Sequence, residues 1–423
     1  MLTFLGCNSP DTRSAYWHVR DGQIYPPASI GSEPYYFIGA NFWYGVILAS
    51  EGEGGDRERL HRELDALQAI GLNNLRILVG ADGPAGTHSK VEPTLQKAPG
   101  EYDENLLRGL DYLMVELGRR NMSAVLYLNN AWEWSGGFGQ YLMWSGEPPY
   151  PIPLIDGGNA YMEYMVRFQR NEEAKALFRE YVKDIVSRTN TITGRPYSED
   201  PAIFSWQICN EPRPFSSGEN DNRSLFAEWI KETAQLIRSI DPNHMISTGS
   251  EGKYGCESDM VLVELIHSYP EIDYVNIHIW PTNWGWSSRI NPTEEDLERS
   301  ISKSQEYVDE HLPIASRLGK PIIIEEFGYP RDGYSFSKES TTEHRDAYYE
   351  FIFGQVEQSR LSGGVIAGCN FWGWGGFAEP SPDRDYWQKG DPYTADPAQE
   401  PQGLYSLFHG DSTVEIIRKY STI

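Results

Sequence analysis

The sequence is poor in cysteine, short of positive charge and empty of long apolar runs. Its four cysteines, Cys7, Cys209, Cys256 and Cys369, give neither a disulfide framework nor CxxC metal spacing. Cys209 and Cys369 lie in apolar runs and read as buried small hydrophobes. Thirty-six Lys and Arg stand against 61 Asp and Glu, a net charge of −25. That balance excludes the basic surface that nucleic-acid phosphates require. No stretch approaches the ~20 apolar residues of a membrane-spanning helix. HExxH, Walker A, GxSxG and GxGxxG are all missing, and no metal or organic cofactor is expected. No linker, repeat or low-complexity tract divides the 423 residues.

The N-terminus, Met1-Leu2-Thr3-Phe4-Leu5-Gly6-Cys7, is a short apolar run ending in Gly-Cys. It resembles the end of a bacterial lipoprotein signal without the basic n-region or a full h-region. Residues 1–12 are therefore a candidate signal or lipoprotein remnant, with Cys7 as candidate lipid anchor. This makes the expected location extracellular or in a bacterial cell envelope. Residues 13–423 are expected to form one catalytic domain, acting as a monomer.

What the chain does have is 13 Trp and 26 Tyr, many of the Trp in Gly-rich or Pro-rich segments. Flat aromatic faces pack on the C–H faces of sugars while their polar edges stay hydrated. It also has eight short β-rich runs separated by helical patterns. They centre on Phe37–Gly39, Leu75–Val79, Ala124–Leu128, Ile203–Cys209, Met245–Thr248, Tyr274–His278, Pro321–Glu326 and Val365–Cys369. Between them, Leu60, Leu64, Leu67 and Ile70 share one helical face, and Asp103, Asn171 and Thr293 read as helix caps. Eight such units imply an α/β fold, a single (β/α)8 TIM barrel. Residues 130–170 and 373–410 are then long loops at its C-terminal face, and residues 1–30 add a hairpin closing its floor. The acidic stretch from Asp383 to Asp396 reads as solvated surface.

Two of the strands end in glutamate. Ile203 to Cys209 leads to Asn210-Glu211-Pro212-Arg213, and Pro321 to Ile324 leads to Glu325-Glu326-Phe327-Gly328. Carboxylates at the mouth of apolar strands are costly to bury without a purpose. Two of them converging at a barrel mouth match the paired carboxylates that cleave a glycosidic bond, and a spacing of about 5–5.5 Å would imply retention. Arg76, ending the second strand, could keep one of them ionised. Asn210 could bond the hydroxyl beside the reacting carbon, and His278 ends the sixth strand near the same mouth.

These motifs resemble glycoside hydrolase family five. Thr193-Gly194 through Asn210-Glu211-Pro212-Arg213, Asn129-Asn130-Ala131-Trp132-Glu133-Trp134 and His278-Ile279-Trp280-Pro281 resemble its endo-β-1,4-mannanase branch, over roughly residues 35–420. The resemblance implies Glu211 as acid/base and Glu326 as nucleophile, with Glu325 the competing nucleophile. Strand alternation would put Ile322, Ile324 and Glu326 on one face and Glu325 on the other. It further implies Arg76, Asn210 and His278 as subsite contacts and Trp372 as a sugar platform. Trp43, Trp132, Trp280 and Asn130 join them as expected substrate contacts. Many members carry a tyrosine where this chain has Trp280, and an indole donates one hydrogen bond but accepts none. Whether Trp280 can take over a contact to the nucleophile is open at this point. The expected activity is retaining endo-hydrolysis of mannan, glucomannan or galactomannan. The alternatives are a β-1,4-glucanase on the same scaffold or a non-catalytic glycan-binding barrel.

Overall fold

A computed structural model describes residues 15–421. The candidate leader and Cys7 lie outside the described residues. Eight parallel strands form the centre: β1 (Phe37–Asn41), β2 (Asn74–Leu78), β3 (Ser123–Tyr127), β4 (Ile203–Gln207), β5 (Met245–Ser247), β6 (Val275–Ile279), β7 (Ile322–Phe327) and β8 (Ile366–Phe371). They pair in the order β6-β7-β8-β1-β2-β3-β4-β5, so β8 joins β1 and the sheet curls into a TIM barrel. Among the described residues no ladder joins β5 to β6. That seam is held by scattered bonds: Asp273 N donates to Ile246 O at 2.9 Å and His278 N to Glu251 O at 3.2 Å, and the Asn276 carbonyl accepts from Thr248 Oγ1 at 2.9 Å and Gly249 N at 3.3 Å. The same amide donates to Ser250 O at 2.7 Å.

The outer ring comprises α1 (Arg57–Ala69), α2 (Glu104–Arg119), α3 (Glu172–Val186), α4 (Arg223–Ile240), α5 (Met260–Ser268), α6 (Glu294–Leu318), α7 (Glu343–Ser362) and α8 (Thr413–Ser421). The caps read from sequence are in place. Asp103 accepts from Asn105 N and Leu106 N, Asn171 accepts from Ala174 N, and Thr293 forms a capping box with Asp296. Each satisfies amides that the first turn of a helix leaves unpaired. None of these helices is long and apolar enough to cross a membrane.

Two hydrophobic layers result. The larger fills the space between strands and helices and includes Leu64, Leu110, Trp206, Ile322 and Ile324. The smaller lies inside the barrel and joins Phe37, Val125, Phe204, Met245, Tyr274 and Ile323. Trp17 and Ile24 plug this inner layer from the hairpin His18–Arg20/Gln23–Tyr25. Its turn is Asp21-Gly22, both at positive φ, the backbone that a two-residue hairpin needs. The floor is thus shut by apolar packing, and polar chemistry is left to the other end.

Candidate active site

Past β4 the chain runs Ile208-Cys209-Asn210-Glu211. Glu211 lies at φ 49°, a conformation unfavourable for a side chain with a Cβ, and its amide donates to Gly249 O at 2.9 Å. Gly249 has φ 78°, and a Cβ there would sit 1.7 Å from Cys209 O. Glycine is therefore what lets the ends of β4 and β5 approach closely enough to hold Glu211 over the mouth.

The β7 carboxylates correct the alternation expected from sequence. Ile322 and Ile324 pack outward toward the helices, whereas Ile323 lies in the inner layer. Glu325 therefore points into the barrel, where Tyr274 Oη (2.8 Å) and Gln207 Nε2 (2.5 Å) donate to it. A register shift against β6 pairs Ile277 with Ile324 but His278 with Glu326. This bulge adds a residue to β7 and swings Glu326 to the mouth one layer above Glu325. Phe327 then returns outward against Tyr349 and Phe353 of α7.

Glu326 and Glu211 meet across His278. One oxygen of each carboxylate and a ring nitrogen of His278 all lie within 4.8 Å of one another. His278 Nδ1 is 2.9 Å from Glu211 Oε1 and 3.3 Å from Glu326 Oε2. Arg76, fully buried, donates to Glu326 Oε1, to Asn210 Oδ1 at 2.7 Å, to Asn41 Oδ1 at 3.0 Å and to Gln207 Oε1 at 2.8 Å. Trp280 Nε1 donates to Glu326 Oε2 at 3.1 Å. The single donor of the indole is thus what an ionised carboxylate needs. Burial alone would raise the Glu326 pKa, but the charges of His278 and Arg76 override it and hold the carboxyl well below its usual range. Burial alone would lower His278, but the two carboxylates push it up to about 9. At neutral pH the ring is then a cation with no lone pair to offer. The triangle that could by its atom types hold a metal ion already contains its own positive charge.

Glu211 has different company. Trp132 Nε1 donates to its Oε2 at 2.5 Å. The Arg213 guanidinium stacks 5.0 Å over the Trp132 ring and pairs with buried Glu251 at 2.6 and 2.7 Å. Glu251 is pushed up to about 7, by burial first, with Arg213 opposing and the Glu211 charge adding. Among the described residues, no guanidinium is hydrogen-bonded to Glu211. One mouth therefore presents one carboxylate clamped by cations and another held by an indole and a shared histidine.

A family model described as GH family 5 beta-mannosidase-like matches residues 27–423. The chain belongs to glycoside hydrolase family 5. It is similar to a family 5 mannosidase from Rhizomucor miehei, at 32% identity over 97% of this chain and 98% of that one, with a TM-score of 0.87. A mutant of that mannosidase, in complex with mannosyl-fructose, matches with a TM-score of 0.86, at 32% identity over 97% of each chain. Mannan endo-1,4-beta-mannosidase 1 of Arabidopsis thaliana is 29% identical over 365 residues, covering 81% of this chain and 79% of the relative.

In this family 5 glycoside hydrolase, Glu211, Glu326, Arg76, Asn210, His278, Trp280 and Trp132 come together within one hydrogen-bonded cluster. Two other expected contacts, Asn130 and Trp43, turn inward, and a third, Trp372, is as buried as Glu326 and stands beside Trp280. Asn130 accepts from Asn210 Nδ2 at 3.1 Å and from Trp132 N, and donates to Ser135 Oγ. It therefore positions Asn210 rather than facing open space. Trp43 is 3% exposed and donates to Ala395 O at 2.8 Å, anchoring the loop after β8. Trp372 is 4% exposed, edge-on to Trp280 and Trp134 at the root of that loop.

Asn41, Gln207, Arg213, Glu251 and Glu400 were missed. Arg213 alone had a local signal, directly following Asn210-Glu211-Pro212. The acidic loop is not all solvated surface. Asp396 is buried and accepts from Gly403 N and Tyr405 N at 2.8 Å each and Ser406 Oγ at 2.5 Å. Four residues later, Glu400 comes close enough to Asp396, Glu326 and Glu211 that their charges add to burial in raising its pKa.

Proposed function

We propose that this glycoside hydrolase is a retaining β-mannosidase that removes mannose from the non-reducing end of β-1,4-linked manno-oligosaccharides. The observation that carries this reading is the loop between β8 and α8. Tied by Asp396, it seats Tyr405 5.0 Å from Trp280, hangs Ala395 on Trp43 and brings Glu400 toward both carboxylates. An open cleft would leave the tryptophans of the mouth exposed. Here Trp43, Trp134, Trp280 and Trp372 are each 6% exposed or less. The wall stands on the side of Trp280 and Glu326, and on this reading it limits that side to one terminal sugar. The mannosidase names of the family model and of the Rhizomucor protein support the same reading.

The carboxylate spacing supports double displacement. Ionised Glu326 attacks the anomeric carbon as Glu211 protonates the departing glycosidic oxygen, giving a glycosyl ester on Glu326. Glu211, now a carboxylate, takes a proton from water. The water oxygen bonds the anomeric carbon and releases Glu326. Asn210 has one amide hydrogen left after serving Asn130, free for the 2-hydroxyl, where a bond strengthens as charge develops. Once Glu326 is esterified, Arg76 and His278 keep the site from losing its positive field.

A second reading, endo-β-1,4-mannanase, is favoured by the names of the curated plant relatives. Mannohexaose digested in ¹⁸O-water separates the two. Chain-end action gives labelled mannose and unlabelled mannopentaose first, with β-mannose leading in proton NMR. Early mannobiose and mannotriose would establish endo action, and early α-mannose would refute retention. Hydrolysis of 4-nitrophenyl β-glucoside in preference to the mannoside would favour the glucanase alternative, and no turnover of mannohexaose or of either aryl glycoside a non-catalytic barrel.

A further inference from the structure

The wall after β8 has an outer face as well as an inner one. On it lies a cavity of about 560 Å³ between the loops following β2, β3 and β8, lined by Trp387, Tyr386, Gln388, His88, Ser89 and Leu154 among others. None of the residues that touch Glu211 or Glu326 lines it. From this geometry we infer a second carbohydrate site, one that holds a stretch of neutral β-1,4-linked hexopyranosyl chain away from the reaction centre. The inference rests on the mannan reading for its sugar class.

Trp387 is built as a platform. One face stacks on Tyr393 at 5.5 Å and 23°, and its indole N–H donates to Asp391 O at 3.1 Å. Tyr393 is fixed in turn, donating to Glu92 O at 2.7 Å and lying against Trp43 and Tyr44. A ring held flat from behind and bordered by a cavity in front loses little freedom when a sugar stacks on it. Tyr386 is 42% exposed beside it. Its segment is stitched to the wall by the Tyr386–Pro401 bridge and by Gln402 N to Asp385 O at 2.6 Å. The rim carries hydroxyl, amide and imidazole groups from Ser89, Gln388 and His88, the donors and acceptors a polyhydroxylated ligand uses.

The charge at the site is balanced. Lys389 is bonded to Glu53 at 2.7 Å and lies 3.8 Å from Glu92, and Lys90 donates to Asp82 O and Pro84 O. Among the described residues lining the cavity, no cation is left without a partner to select a phosphate or a uronate, and the protein as a whole is strongly acidic. The volume lies within the usual range of ligand pockets, about 300–1,000 Å³. Both faces of one loop thus take up sugar, the inner one a terminal residue and the outer one a length of chain.

The test compares wild type, Trp387→Ala and Tyr386→Ala on 4-nitrophenyl β-mannoside and on soluble glucomannan. Retardation of each in glucomannan-containing native gels is measured as well, in a Glu326→Gln background. Both variants are expected to turn over the aryl mannoside at the wild-type rate. Trp387→Ala should raise KM on glucomannan by about five- to tenfold, the loss of one aromatic stacking contact, and abolish the retardation. Unchanged KM and unchanged retardation in both variants would overturn the site. Should Trp387→Ala damage aryl-mannoside turnover, Tyr386→Ala, exposed and outside the core, decides by the same two readouts. If wild type ignores the aryl mannoside yet its retardation depends on Trp387, the mannosidase reading falls and the second site stands.

Discussion

The two ends of the barrel interior are filled with opposite chemistry. The floor is an apolar plug in which Trp17, Phe37, Phe204 and Ile323 pack together. The mouth is a polar lattice centred on Arg76, which spends its guanidinium on Asn41, Gln207, Asn210 and Glu326. Glu325 and Glu326, adjacent in sequence, mark the boundary. Both are buried, yet burial raises the Glu325 pKa while Glu326 is held low. The charges of Arg76 and His278 act on both, but they bond only Glu326, whereas Glu325 accepts from a phenol and an amide. Burial alone therefore does not decide ionisation in this barrel; the charge of the bonded partners does.

The largest expected effect in the comparison is at Glu326. Glu326→Gln should cut turnover of 4-nitrophenyl β-mannoside by on the order of 10⁴-fold or more, with sugar binding retained. Stopped-flow and calorimetric binding measurements check it, and wild-type turnover would remove Glu326 from the mechanism. Arg76→Met comes next, with kcat/KM down by about 10²–10³-fold as the field on Glu326 is lost. It should also cost about 3–5 kcal/mol of stability, because the buried carboxylate loses its partner. Phe204→Ala in the floor should lose a similar stability, about 3–5 kcal/mol by chemical denaturation, yet leave kcat unchanged. A fall in kcat there would mean that the two ends are not separable.

Arg213→Gln should slow phenyl β-mannoside by about tenfold, through a looser Trp132 beside Glu211. It should spare 2,4-dinitrophenyl β-mannoside, whose leaving group needs no proton. Equal losses on both substrates would place Arg213 in binding instead. The smallest effect is in the pH dependence of melting temperature. His278 is raised to about 9, so its stabilisation is complete below 6.5 and is lost as pH climbs through 9. Glu326 is depressed, so its stabilisation is present above 4.5 and is lost as pH falls through its lowered pKa. Between pH 4.5 and 6.5 both contributions are whole. His278→Gln should flatten the decline from pH 6.5 to 9, and an unaltered slope would assign that decline elsewhere.

All eight barrel strands were legible, because each is a compact apolar run between turn residues and each delivers its chemistry at its C-terminal end. The glutamate pair was legible for the same reason. The bulge in β7 was not, since one inserted residue among Ile322-Ile323-Ile324-Glu325-Glu326 leaves no mark in composition. Alternation accordingly placed Ile322, Ile324 and Glu325 on their observed faces but put Glu326 with the isoleucines. Trp43 was expected to touch substrate because the segment that covers it contributes Ala395 and its neighbours only after folding back. Asp396 was read as solvated for a similar cause. Its donors lie at Gly403, Tyr405 and Ser406, and nothing local announces a turn that closes on a single carboxylate.

The seam between β5 and β6 lends the molecule one hinge-like edge. Everywhere else around the ring, widening would tear a ladder of main-chain bonds; here it breaks only scattered ones, Asp273 N to Ile246 O and His278 N to Glu251 O, with the Asn276 amide and the Asp273 carboxylate beside them. Glu211 is moored to Gly249, a residue on that seam. The glutamate we propose as proton donor thus rides on the one stave of the ring that no ladder joins to its neighbour among the described residues.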